Sequence, residues 1–495
     1  MLDAAEVGNQ LSKEEYREVV PPLRVGLVNA QYDLRDAGFP VVIIVAGDDR
    51  FAGNEVVNRL NEWLDTRYMR TYVLGELAEE EKQRPRFWRL WRSMPPRGRI
   101  AIWAGGLFGE ITAYLAGEVD EADLESWASH LEALQRAMLA DGAVVIKFFL
   151  HTPSDVQRGR LKRAHKDPAL GWRVDQRDWA ALGEIPKARP IVERLLRRLS
   201  APGAPWTVVE ASDERYRDIT VARVVLSTIT ARLGQQPSQG AALPPELFAP
   251  AADQATVLSR VDLSQRIDDK AAYRKRLNKL QARLHELSLE ARERGLTTVL
   301  AFEGWDAAGK GGVIRRVTQS LEAGDYRVIP TAAPTEEERR YHYLWRFWRD
   351  LPPAGEFVVY DRTWYGRVLV ERIEGYATDV QWQRAYDEIN DFEEQLVERG
   401  YLVQKYWLHT SQEEQLARFQ ARETTPYKQH KITEEDYRNR ERWADYEQAV
   451  DQTLLRTSSE LAPWYVIPAN DKHFARIDVL DKITDGLKAA LRRLR

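Results

Sequence analysis

The chain has 495 residues, 44% hydrophobic and 30% charged, with no Cys and a formal net charge of −4. At roughly 150 residues per domain, that length predicts two to four domains. Zero Cys excludes disulfide frameworks, zinc–thiolate and iron–sulfur sites and a Cys nucleophile, and 72 basic against 76 acidic residues exclude a global basic field drawing the chain to nucleic acid or a membrane.

The first twenty residues, MLDAAEVGNQLSKEEYREVV, are acidic where a signal peptide needs a basic flank and an apolar core. The longest apolar runs, 39–47 and 143–150, fall well short of the roughly 18 residues that span a bilayer. A cytoplasmic protein is expected. The first apolar run, PVVIIVAGDDRFAG (40–53), enters a Gly-containing turn, and TTVLAFEGWDAAGKGG (297–312) does the same about 257 residues later. Further along, 87–110 aligns with 344–367, pairing Trp88 with Trp345, Trp91 with Trp348 and Pro95 with Pro352. FFLHT (148–152) matches YWLHT (406–410), and APWTVVEA (204–211) matches APWYVIPA (462–469). Chance does not keep register over that distance, so the halves are copies of one domain. The Gln-, Pro- and Ala-rich stretch 232–256 reads as a linker. The expected organisation is a domain over 1–240, a linker over 241–256 and a domain over 257–495.

In the second copy, strands are expected at 298–302, 326–330, 356–360, 402–408 and 464–469. Helices are expected at 312–321, 336–350, 379–399, 411–422, 433–456 and 473–494, with start signals at Thr335/Glu338, Ser411/Glu414 and Thr433/Asp436. Strands alternating with helices predict an α/β fold, a parallel sheet flanked by helices, with ligands beyond the carboxyl ends of the strands.

After the first of these strands the chain reads Gly304-Trp305-Asp306-Ala307-Ala308-Gly309-Lys310-Gly311-Gly312. This is G-x-x-x-x-G-K, in which backbone N–H groups and a Lys cradle phosphate oxygens at a helix start. Gly311 stands where such loops carry a Mg²⁺-holding Ser or Thr, and Asp306 sits inside the cradle, where a bare carboxylate would repel phosphate. Both departures resolve if Asp306 reaches a bridging metal ion. Strand 356–360 runs into Asp361 and Arg362, an acid suited to a metal or base role beside a cation suited to phosphate oxygens. Arg367 and Glu371, four apart, suit either the site or a solvated pair. Arg422, Lys428 and Lys431 flank a Pro-containing turn between two helices and suit a basic lid closing on a phosphate chain. The eight His lack ligand spacing; His409 matches His151, which suggests a structural place, and the paired Trp lie at helical spacing typical of a core.

At GWDAAGKGG, YDRTWYGRV and the lid stretch, the sequence resembles the second family of polyphosphate kinases. The resemblance implies two tandem P-loop kinase-like domains of thymidylate-kinase type, each a parallel sheet flanked by helices, with a helical lid. It implies Mg²⁺ as cofactor and inorganic polyphosphate and AMP as substrates, since fused two-domain members make ADP from AMP. Carried onto this sequence, Asp306 and Asp361 would hold Mg²⁺ and position the attacking phosphate, while Lys310, Arg362, Arg422 and Lys428 would neutralise the transferred group.

The first copy departs at those positions. Asn54 stands where Lys310 belongs, with one residue inserted, and Ala104, Gly105 and Gly106 replace Asp361, Arg362 and Thr363. Phosphoryl transfer is mostly positioning and charge stabilisation, so the first copy is expected to be non-catalytic. The rival readings are an ATP-dependent nucleoside-monophosphate kinase, polyphosphate-dependent phosphorylation of ADP and a non-enzymatic nucleotide sensor. The sequence leaves a homo-oligomer open and predicts no nucleic-acid or membrane partner.

Overall fold

The computed structural model describes residues 1–494 except 106, 169–170, 172–173, 175, 236–241, 245–255, 427–431 and 433. Each apolar run that enters a Gly-containing turn becomes the middle strand of a parallel sheet. In the first copy β1 (Val41–Gly47) is followed by β2 (Met69–Leu74), β3 (Ile100–Gly105), β4 (Val144–His151) and β5 (Trp206–Glu210), in the spatial order β2-β3-β1-β4-β5. The second copy has β6 (Thr298–Gly304), β7 (Tyr326–Pro330), β8 (Phe357–Asp361), β9 (Leu402–His409) and β10 (Trp464–Pro468), ordered β10-β9-β6-β8-β7. The two orders are the same, as copies of one domain require. The middle strands are buried on both faces, which is why they read as unbroken apolar runs rather than alternating ones.

The helices that position the sites are α1 (Arg50–Trp63) in the first copy and, in the second, α2 (Lys270–Glu293), α3 (Lys310–Thr318), α4 (Asp379–Glu398), α5 (Gln412–Glu423), α6 (Glu434–Glu441), α7 (Trp443–Thr457) and α8 (Lys472–Arg493). Three expectations need correction. The span 336–350 is not one helix: a single 3-10 turn (Glu338–Arg340), with Glu337 rather than Thr335 at its cap, precedes a five-residue helix (Trp345–Arg349). The helix after the glycine loop begins at Lys310, not 312, so Gly311 and Gly312 form its first turn. The expected helix 433–456 is two helices broken at Arg442, whose φ of −98° and ψ of 27° leave the helical range. Ser411 caps α5 as expected, accepting the Glu414 N–H at 3.3 Å, whereas Thr433 lies outside the described residues. The four Trp of the repeat are core: Trp88, Trp91, Trp345 and Trp348 are each under 8% exposed.

The chain packs as two compact units with exchanged segments. One holds 1–77, 90–239 and 336–342; the other holds 78–89, 240–335 and 343–495. Within the first, Arg97 N–H donates to Arg340 O at 2.8 Å. Within the second, Arg84 Nε donates to Leu351 O at 3.1 Å. The backbone bonds of 336–342 are those of a tight turn, Arg340 N–H to Glu337 O at 3.0 Å and Tyr341 N–H to Glu338 O at 3.1 Å. Among the described residues no helix is long and apolar enough to cross a membrane.

Candidate active site

The register of the second sheet brings the predicted groups to one end. Phe302 of β6 lies beside Asp361 of β8, and Gly304 lies beside Leu408 of β9. Gly304 has φ +147°, and a Cβ there would stand 2.6 Å from Leu408 O, so only glycine fits where the chain leaves the sheet. Ala307 is held at φ +60° and Gly309, the cap of α3, at φ +112°. Ala308 N–H closes the turn on Trp305 O at 3.0 Å. The result is a left-handed loop feeding a helix N-terminus, the geometry that aims backbone N–H groups at an anion.

Lys310 opens α3 and folds back, donating to Gly304 O at 2.5 Å and Trp305 O at 3.3 Å. Burial pulls its pKa below the ordinary lysine value, while Asp306, Glu303 and Asp361 act against that fall. Asp306 accepts Arg362 Nη2 at 3.1 Å and Asn439 Nδ2 at 3.1 Å. Asp361 ends β8; its backbone carbonyl takes the Thr331 N–H at 2.9 Å. Arg362 is held in the left-handed region at φ +64°, a conformation that costs a residue with a Cβ roughly 1–2 kcal/mol. Asp306, Lys310, Asp361 and Arg362 therefore share one pole of the sheet.

The turn behind Arg362 is fixed from inside. Glu393 on α4 accepts Trp364 Nε1 at 3.0 Å and Tyr365 OH at 2.6 Å, and its other oxygen takes Lys405 Nζ at 2.6 Å. Both members of that ion pair are buried, where an unpaired charge would be costly. The first copy keeps the lysine, as Lys147, but offers it Gln135 in place of the carboxylate. Burial without a counter-charge lowers Lys147 to about 8.

The other predicted residues divide. Arg367 pairs with Glu371 at 3.1 Å and lies over the Tyr343 ring, so it is engaged beside the site. Arg422 sits in the last turn of α5, near enough for its charge to act on Arg418. Lys428 and Lys431 lie outside the described residues. Several residues at the site were not singled out from sequence. Arg418 donates to Ala307 O at 3.0 Å, Ala308 O at 2.8 Å and Ala469 O at 2.6 Å, buttressing the glycine loop; its spacing one turn before Arg422 was the available signal. Trp305 stacks on Trp443 with ring centroids 3.7 Å apart, and Asn439 reaches Asp306, so α6 and α7 are tied to the loop. Nothing in the spacing of Trp443 or Asn439 announces either contact.

In the first copy the cradle is closed rather than merely stripped of its lysine. Helix α1 begins at Arg50, three residues past Gly47, so Asn54 lies within the helix and not at the end of an anion loop. Asp49 caps that helix, accepting Phe51 N–H at 2.9 Å and Ala52 N–H at 3.2 Å. Arg160, matched to Arg418, donates to the other Asp49 oxygen at 2.7 Å. A carboxylate of the chain itself thus takes the N–H groups at that helix start.

A sequence profile of Polyphosphate kinase 2 matches residues 10–237 and again 267–495. Polyphosphate:AMP phosphotransferases of Pseudomonas aeruginosa and Acinetobacter johnsonii are 43% and 34% identical to the chain, covering 100% and 99% of it and the same shares of their own lengths. The NDP-polyphosphate phosphotransferase 3 of Ruegeria pomeroyi is 40% identical over 43% of the chain and 71% of its own length. A solved structure described as polyphosphate kinase 2, from Pseudomonas aeruginosa PA01, matches with a TM-score of 0.88 at 42% identity, covering 99% of both chains.

Proposed function

The chain belongs to the polyphosphate kinase 2 family, and from that premise we propose that it transfers the terminal phosphoryl group of inorganic polyphosphate to AMP, giving ADP, at the loop of its second copy. One observation carries the location: Asp306, Lys310, Asp361 and Arg362 meet where a left-handed glycine loop opens α3, while Asp49 occupies the matching place in the first copy. The choice of AMP is supported by full-length relatives named polyphosphate:AMP phosphotransferase.

A phosphate oxygen of AMP attacks the terminal phosphorus in line, the bridging P–O bond breaks, and a polyphosphate one unit shorter leaves. No protein nucleophile is needed, because the transition state asks for positioning and charge stabilisation. The α3 N-terminus and Lys310 hold the donor's end, Arg362 faces the transferred group, and Arg418 keeps the loop carbonyls turned away from the phosphates. Among the described residues no three acidic or His side chains gather as a metal cage. Mg²⁺ does not need one, since it commonly takes one or two carboxylates and completes its shell with water and substrate phosphates. Asp306 and Asp361 are hard oxygen donors near Lys310 and suit that role. Bound there, the ion would supply positive charge that offsets the repulsion between Asp306 and the donor.

A second reading is phosphorylation of a nucleoside diphosphate, favoured by the partial match to an NDP-polyphosphate phosphotransferase. A donor–acceptor matrix separates the readings: polyphosphate or ATP against AMP, GMP and ADP, with and without EDTA. Product from polyphosphate and AMP, stopped by EDTA, is expected. Product with ATP but none with polyphosphate would overturn the assignment.

A further inference from the structure

Glu303 is the only charged residue of β6 and is 6% exposed. One of its oxygens accepts both the Thr363 backbone N–H at 2.7 Å and the Thr363 hydroxyl at 2.8 Å. The same hydroxyl accepts the Tyr365 N–H at 3.1 Å, so Glu303 anchors the turn that follows Asp361 and Arg362. Arg362 stands immediately before that anchor, at φ +64°, with its own N–H on Phe302 O at 3.0 Å.

The first copy supplies an internal control. At the place of Arg362 it has Gly105, also left-handed at φ +89°. At the place of Glu303 it has Ala46, and Gly106 replaces Thr363. Where glycine makes the left-handed turn without a steric cost, the buried carboxylate and its threonine partner are both missing. Where an arginine must be held in that conformation, both are present.

We propose that Glu303 is a positioning residue: its paired hydrogen bonds to Thr363 hold the left-handed turn that aims Arg362 and Asp361 at Lys310. Glu303 touches no reacting atom in this role; it acts through Thr363. The inference rests on the reading of Arg362 and Asp361 as residues of the reacting end. Kinetics therefore use whichever donor and acceptor the wild type accepts, so that a wrong substrate assignment shows in the wild type and a wrong inference shows only in the variants.

The test compares Glu303→Ala with Glu303→Gln in the full chain. A Gln carbonyl can accept both Thr363 bonds, whereas Ala accepts neither. Glu303→Ala should lower kcat by about 10²-fold, the scale of misplacing a catalytic group, with the KM for polyphosphate little changed. Glu303→Gln should restore kcat to within several-fold of wild type. Wild-type kcat in Glu303→Ala would overturn the proposal. So would Glu303→Gln as inactive as Glu303→Ala, because the carboxylate charge rather than its hydrogen bonds would then matter. Should Glu303→Ala not fold, Thr363→Val against Thr363→Ser reads the same contact: a lower kcat in Val alone is expected, and equal kcat in both would refute the anchor.

Discussion

Trp305 donates its indole N–H to His409 Nδ1 at 3.0 Å beneath the glycine loop, whereas at the matched place in the first copy His151 is bonded by Asp48 and, at 2.8 Å, by Glu6. One repeated position thus accepts an indole N–H in one copy and faces two carboxylates in the other. Burial lowers His409 to about 4. Burial also acts to lower His151, but the bonds and charges of Asp48 and Glu6 outweigh it and raise its pKa.

The two histidines pull stability in opposite directions with pH. His409 is depressed below its unfolded value of 6.5, so the unfolded chain binds the proton first and stability falls as pH drops from 6.5 toward 4. That fall is worth roughly 3 kcal/mol. His151 is raised, so its contribution is complete below pH 6.5 and is lost as pH climbs through the folded value. Melting temperature against pH should show an acid-side loss that His409→Gln, which keeps an acceptor but does not titrate, largely removes. An unchanged acid limb in that variant would contradict the assignment.

The closed first copy predicts one working site per chain. Lys310→Ala or Asp361→Asn should each cost at least about 10²-fold in kcat, the scale of losing one preorganised charge contact. Asn54→Ala, inside α1, should leave activity unchanged. Asp49→Ala should cost about 1 kcal/mol through the lost cap, without loss of activity. Half the wild-type rate in a Lys310/Asp361 double variant would mean that the first copy is catalytic.

Arg362→Gly separates function from stability at one residue. Glycine takes φ +64° without the clash a Cβ brings, as Gly105 does at +89°, and Arg362 is half exposed and pairs with Asp306 at 3.1 Å. Thermal unfolding should show a stability equal to or up to about 1 kcal/mol above wild type, with kcat down by about 10²-fold or more. A clearly less stable protein would show that Arg362 is kept for packing rather than for chemistry.

What the sequence made legible was chemistry written into adjacent residues. Asp306, Lys310, Asp361 and Arg362 stand in two short motifs after apolar runs, and the parallel sheet those runs predict carries them to one pole, whereas the strand order came only with the structure. What stayed hidden depends on distant partners. Glu303 is an acid inside an apolar strand, a visible anomaly, but its meaning needs Thr363 sixty residues away. Glu393 and Lys405 lie on an ordinary amphipathic helix and a strand, and only packing makes them a buried pair. The span 336–342 carries helix-forming residues, yet it makes only a single 3-10 turn, so local propensity does not decide its structure.

For Lys428 and Lys431 the basic lid rests on the sequence. Polyphosphate carries about one charge per unit, while the protein's net charge is −4, so binding must depend on a few clustered cations. Salt should weaken it as the Debye length shortens from roughly 8 Å at physiological ionic strength. Arg422 stands at the end of α5, one turn beyond the Arg418 that buttresses the loop; if it touches the transferred group, it should mainly lower kcat when changed to Ala. Lys431, expected to hold only the donor's tail, should raise the KM for polyphosphate several-fold and leave kcat alone, the signature of lost uniform binding. Lys428→Ala should show both effects, because its expected place lies between those two. Each variant should also flatten the dependence of KM on salt. Kinetics of the three alanine variants at two salt concentrations decide the matter: wild-type parameters throughout would mean that these cations are solvated surface charges, and that the donor is held by the glycine loop and Lys310 alone.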